Sequence, residues 1–232
     1  MKQKKKAVST NFLIIAALAA MLLAIPAMVQ SKKGEAAKKA QTLDLRSSLL
    51  TLGRAQASSA LPSLNRRLEV SFDYQRQAGP GSNQYAVWIE NEKGDVVKTL
   101  FVTSYTTKGR ARGGEQPKRG YIVRPACVPT WVKTVKADEK TDQQLDAVTG
   151  ATPQAGGTQT FTWDFTDEQG KAVQQGDYKV VVEATLFFDS DIIYSGTFST
   201  KNKAGDIKLT STLTKEDEQH KEMVTNVKAI LN

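Results

Sequence analysis

The sequence predicts an all-β domain, an antiparallel β-sandwich, on three observations. Short runs alternate apolar and polar residues. Turns containing Gly, Asn or Asp separate the runs at roughly ten-residue intervals, and nothing repeats at a longer fixed period. About six or seven such strands in one chain fit two packed sheets.

Taken in order, the chain opens on a segment that is not part of that domain. Met1 to Lys6 carry four lysines and no acid, and Phe12 to Val29 is an apolar run of 18 residues with Pro26 its only break. A basic start followed by such a run is an export signal, and its length is at the lower edge of a bilayer-spanning helix. Residues 1–30 are thus a signal peptide or an N-terminal membrane anchor. The small-residue cleavage sites, at Val29-Gln30-Ser31 and at Gly34 to Ala36, are poor. The leading lysines place the N-terminus in the cytoplasm and the bulk of the chain outside.

Residues 31–67 read as a linker, partly helical, with Leu45, Leu49 and Leu52 at helical spacing. The sandwich domain is expected over 68–213. Leu68, Val70, Phe72 and Tyr74 alternate with polar residues as a half-buried strand, and Gly79-Pro80-Gly81-Ser82 is a turn. Tyr85 to Glu90 and Val96 to Thr103 form a hairpin through Asn91-Glu92-Lys93-Gly94. Thr107 to Gly120, rich in Gly, Arg and Lys, is a surface loop, either simply solvated or in contact with an anion. Pro125 to Val135 is not a clean strand, and Lys136 to Gln144 is charged and solvated. Further strands are expected over Gln159–Phe165, Gly176–Phe188, Ile192–Thr200 and Ile207–Leu213. Residues 214–232 read as a short C-terminal helix, capped by Thr214 with Asp217 three residues on. Met223, Val227 and Ile230 would be its apolar stripe.

Composition removes several function classes. The net charge is +8, but residues 1–40 hold eight lysines and one glutamate, so the rest carries only +1. A nearly neutral domain gives no reason to expect nucleic acid. The single cysteine, Cys127, allows no internal disulfide and reads as a small buried filler. The single histidine, His220, lies in a polar tail, which argues against a Ser-His-Asp triad and a histidine-rich metal site. No C-x-x-C-H is present for a covalent haem, and no nucleophile-base pair marks a hydrolase.

What remains is the stretch Asp146-Ala147-Val148-Thr149-Gly150-Ala151-Thr152-Pro153. Gly150 permits backbone angles closed to other residues, Ala151 adds almost no bulk, and Pro153 restricts Thr152 to extended conformations. Gly156-Gly157 leaves a slack exit. The turn therefore presents one threonine hydroxyl, or it is a sandwich loop that uses Gly and Pro for shape alone. Trp88 and Trp163, on alternating strands, read as core. Trp131, in a proline-flanked segment, and Tyr105 are candidates to approach a ligand at the turn. Asp164 and Glu183 read as turn or strand-end residues.

The turn resembles the acceptor motif D-x-x-[ST]-G-A-[TS], at which FAD:protein FMN transferases attach a flavin. By that resemblance Thr152 bears FMN through a phosphoester, Asp146 and Thr149 are recognised by the transferase, and Gly150 and Ala151 complete the cofactor-binding motif. A wider stretch is similar to the predicted periplasmic domain-of-unknown-function family 2271. It includes Tyr85 to Glu90, Thr99 to Thr103, Arg124-Pro125, Pro129-Thr130-Trp131, Thr162-Trp163-Asp164 and Gly176-Asp177-Tyr178. That resemblance implies an immunoglobulin-like sandwich, linked with flavin transferases and PepSY-type membrane reductases. The expected function is an extracytoplasmic flavoprotein that carries electrons and is not itself an enzyme. The alternative is a non-redox envelope binding or assembly module.

Overall fold

A computed structural model describes residues 66–111, 113–216 and 220–232. The export segment and most of the linker, including the helix expected around Leu49, lie outside the described residues. Among the described residues no helix is long and apolar enough to cross a membrane.

Among the described residues, ten strands form two sheets. They are β1 Leu68–Tyr74, β2 Gln84–Asn91, β3 Val96–Thr103, β4 Thr149–Gly150, β5 Gly157–Trp163, β6 Asp177–Phe187, β7 Ser190–Ser199, β8 Gly205–Asp206, β9 Thr210–Leu213 and β10 Val224–Leu231. One sheet has the order β5-β1-β10-β8 and the other β4-β3-β2-β6-β7-β9. Every named pair is antiparallel except β3–β4, which is parallel and short. Four short helices fill the stretch between β3 and β4: α1 Ser104–Lys108, α2 Gly120–Val123, α3 Pro129–Thr134 and α4 Asp142–Asp146.

The alternation in β1 works as expected. Leu68, Val70, Phe72 and Tyr74 are buried and the residues between them are not. They share one core with Tyr85, Val87 and Ile89 of β2, Val180, Val182 and Ala184 of β6, and Trp163. Each Val, Leu or Ile buried there contributes about 1.5–3 kcal/mol. The six-stranded sheet has a second core on its other face. Ala86, Trp88, Val102 and Val181 are covered there by Tyr121, Cys127, Val128, Trp131, Val135 and Leu145 from the helical stretch. Strand β2 is consequently buried on both faces.

The expected C-terminal helix is a strand. β10 lies between β1 and β8 and completes the smaller sheet. A bulge explains the misreading. Ser71 pairs with Lys228 and Asp73 with Thr225, so Asn226 and Val227 together face Phe72 alone. Asn226 takes a left-handed φ of 53° to do this. The extra residue breaks the period of two and leaves apolar residues at a spacing that imitates a helix. His220, expected in a polar tail, is buried and stacks on Phe187 with ring centroids 4.2 Å apart.

Candidate functional site

The Asp146–Pro153 turn is tied to the domain on its N-terminal side. Helix α4 starts with a capping box, in which Gln144 N donates to Thr141 Oγ1 at 3.2 Å and Thr141 N to Gln144 Oε1 at 2.9 Å. At its other end Asp146 pairs with Lys108 of α1 at 3.1 Å, with both side chains about half exposed. Such a pair contributes at most ~1 kcal/mol. The Thr149 hydroxyl donates to Leu145 O at 2.6 Å and lies 2.8 Å from Thr107 Oγ1. Val102 N donates to Val148 O at 3.0 Å, which starts β4 along β3.

Gly150 is needed for a different reason from the one its sequence context suggests. Its φ is not in the left-handed region. A Cβ there would stand 2.1 Å from Cε2 of Phe101. That ring is stacked on Tyr85 at 5.1 Å and packed against Phe161 at 5.1 Å, so it has little room to give. The glycine lets β4 close over the ring. Nor is the exit from the turn slack, because Gly157 already pairs with Tyr74 as the first residue of β5.

Beyond Gly150 the chain leaves the sheet. Ala151 is exposed and Thr152 partly exposed. The Thr152 carbonyl accepts from Gln154 Nε2 at 2.9 Å, and no described residue hydrogen-bonds its hydroxyl. The two threonines of the turn thus differ. Thr149 has its hydroxyl used twice internally, and Thr152 offers a free one. Arg76 holds the next residue, its Nη1 donating to Pro153 O at 2.9 Å.

Thr152 stands at the edge of a cleft of about 120 Å³. Arg76, Arg110 and Arg124 line it together with Tyr105, and its floor comes from the Gly79–Gln84 segment. Arg110 and Arg124 lie over the Tyr105 ring, 5.9 and 5.3 Å from its centroid, and Arg124 is also 5.9 Å from the Phe188 ring. Among the described residues none of the three arginines is in an ion pair. Ser82 and Gln84 are buried, and Ser82 Oγ and Gln84 Oε1 have no hydrogen-bond partner among the described residues. The site is cationic, partly desolvated, and supplied with unused polar atoms.

Trp131 is not part of this site. It is 1% exposed, and its Nε1 donates to Thr99 Oγ1 at 3.2 Å inside the second core. The expectation that it approaches a ligand at the turn is corrected by helix α3, which turns the indole inward. Tyr105 is the aromatic that reaches the cleft. Trp88 and Trp163 are core, as their strand positions predicted. Cys127 is fully buried, 3.2 Å from Thr106 Oγ1, and burial pushes its thiol up to about 11.

Asp164 is a turn residue as expected, accepting from Thr166 Oγ1 at 2.6 Å. Glu183 is not at a strand end. It is fully buried within β6, and its carboxylate accepts from Thr130 N at 2.8 Å and Trp131 N at 2.7 Å. It thereby caps two of the amides that the first turn of α3 leaves unpaired. Sequence reasoning missed Arg76, Ser82, Gln84 and Arg124 as site residues. The only signals were the Gly79–Ser82 turn and the Arg124-Pro125 step, which are far apart in sequence. Arg110 lies in the loop for which an anion contact was one of two readings.

Two sheets, with a surface turn beside a cationic cleft, make the described residues an all-β domain. The chain belongs to the family of predicted periplasmic proteins DUF2271, whose model matches residues 66–214. The family's predicted compartment agrees with the basic and apolar start of the chain. No curated protein and no solved structure matches it.

Proposed function

We propose that this protein is an extracytoplasmic electron carrier with FMN joined to Thr152 through a phosphoester. The reading includes an immunoglobulin-like sandwich, an N-terminal segment that signals export or holds the domain at the inner membrane, and a flavin transferase that modifies it. One observation carries it. Within an acceptor-type turn, Thr152 has the hydroxyl that no described residue binds, and it shares a cleft with three arginines that no described carboxylate pairs.

In that reaction Thr152 Oγ attacks the flavin-bearing phosphorus of FAD. The pyrophosphate bond breaks, AMP leaves, and the threonine proton passes to a base of the transferase, since threonine oxygen alone is a weak nucleophile. The residues present suit the group. Arg76, Arg110 and Arg124 would balance its phosphate charge, and Tyr105, which lines the cleft, offers aromatic surface. Bound FMN supplies the electron transfer, and the chain supplies position and local charge. A PepSY-type membrane reductase is the proposed electron donor. Covalent attachment suits the compartment, where a free flavin would diffuse away.

The test is export of the protein together with a flavin transferase. The product should be yellow and should keep its flavin fluorescence on a denaturing gel. Thr152→Ala should lose both, and Thr149→Ala should keep some label. Flavin retained in the Thr152→Ala protein refutes the site, and an unmodified wild type favours a non-redox binding or assembly module.

A further inference from the structure

We propose that the cleft beside Thr152 is a phosphate-binding seat, built from Arg76, Arg110 and Arg124 with the buried polar side chains of Ser82 and Gln84, that holds the phosphate of FMN whether or not the covalent bond is made. That the phosphate belongs to a flavin rests on the reading above, whereas the anion seat stands on its own geometry.

The charges come from three separate places. Arg76 follows β1, Arg110 follows α1 and Arg124 ends α2, and no described carboxylate pairs with any of them. Three guanidinium groups around one small cleft repel each other, and an anion between them removes that repulsion. Two of them are also held in place. The Arg76 guanidinium is fixed by Pro153 O, one residue from the acceptor. The Arg124 guanidinium is within cation-π reach of both Tyr105 and Phe188. A guanidinium already ordered and weakly hydrated loses little on binding and offers paired donors to phosphate oxygens.

The floor adds a second, independent indication. Ser82 is 5% exposed and Gln84 6% exposed, yet Ser82 Oγ and Gln84 Oε1 have no described partner. A buried polar atom left unpaired costs about 1–3 kcal/mol. Both residues line the cleft, so a ligand that draws these groups toward it recovers that cost. The backbone is shaped for this floor. Gly81 takes a φ of 97°, and a Cβ there would meet the Phe188 ring at 3.2 Å. The size fits as well. The cleft holds about 120 Å³ and opens to solvent, which admits a phosphate group.

The experiment uses the exported protein carrying Thr152→Ala, made without a flavin transferase, so that no covalent attachment contributes. FMN and riboflavin are titrated separately by flavin fluorescence, with inorganic phosphate as competitor. FMN should bind at least about tenfold more tightly than riboflavin, the effect of one or more charge-assisted contacts. Phosphate should compete with FMN and not with riboflavin. Arg124→Gln and Arg76→Gln should each close most of the gap by weakening FMN alone, with thermal melts showing both variants folded. Arg124→Lys should keep part of it. Equal binding of FMN and riboflavin, or a gap untouched by both glutamine variants, overturns the seat. Thermal stabilisation by phosphate without any FMN preference overturns the flavin as the phosphate's bearer. An FMN preference in a protein that no transferase labels at Thr152 upholds the seat and removes the covalent reading, so the two fail separately.

Discussion

Glu183 makes the stability of this domain depend on pH in a direction opposite to that of a surface carboxylate. Its side chain is fully buried. Burial favours the neutral acid, while the two amides of α3 favour the anion, and burial prevails, raising the carboxyl from 4.5 to about 7. Asp191, also buried, is raised from 3.8 to about 6, again chiefly by burial. A raised carboxyl means that the folded chain holds its proton more tightly than the unfolded chain does. The associated stability is complete below the unfolded value and is lost as the pH rises through the folded one. At 1.36 kcal/mol per unit, Glu183 alone accounts for about 3 kcal/mol. Asp191 also raises Glu183, so their contributions do not simply add. Between about pH 5 and about pH 8 the domain should lose about 3 kcal/mol, or roughly 6–12 °C in Tm. Asp73 and Asp164 are lowered by hydrogen bonds, so their contributions are already present above 3.8, outside this window. Urea or thermal unfolding across the range is the assay. Glu183→Gln should be less stable than wild type at the acid end, because its amide group opposes one of the two backbone donors. It should also have a shallower pH slope. A wild type that gains stability from acid to neutral pH, or a Gln variant with an unchanged slope, refutes the reasoning.

Other outcomes follow from the same geometry. Gly150→Ala should cost about 1–3 kcal/mol by overpacking against Phe101. Adding Phe101→Leu should recover part of that loss in a double-mutant cycle, and strict additivity of the two changes would show that the ring is not the obstacle. Cys127 should resist alkylation at neutral pH in the folded protein and react fully in denaturant. Labelling of the native state would contradict its burial. Deleting Val224–Asn232 removes β10, with buried Val224 and Leu231 at about 1.5–3 kcal/mol each. The truncated domain should lose its cooperative melt, and a sharp transition at the wild-type temperature would show that β10 is dispensable.

Sequence patterning made legible the strands that carry a clean alternation or a turn signature. β1 and β3 span the residues expected of them, because one face of β1 and the hairpin at Asn91–Gly94 leave a period of two and a turn signature. Patterning failed where that period is broken. The bulge at Asn226 and Val227 gave β10 a helical spacing. The second core was hidden for a related reason. α2, α3 and α4 are four to six residues long, too short to show a period, and are held by side chains remote in sequence such as Glu183. At the candidate site, the Asp146–Pro153 turn is a contiguous stretch and could be read directly. The cleft is assembled from Arg76, Ser82, Arg110 and Arg124, which only the fold brings together. Gly150 was singled out, but as a flexible position, since the Phe101 ring against which it packs is invisible in a linear motif.

The most direct test is peptide mapping by mass spectrometry of the protein exported beside a flavin transferase. The predicted result is a single peptide carrying an FMN adduct on Thr152, absent in Thr152→Ala. A chain that stays unmodified beside an active transferase, or an adduct on any other hydroxyl, contradicts the account.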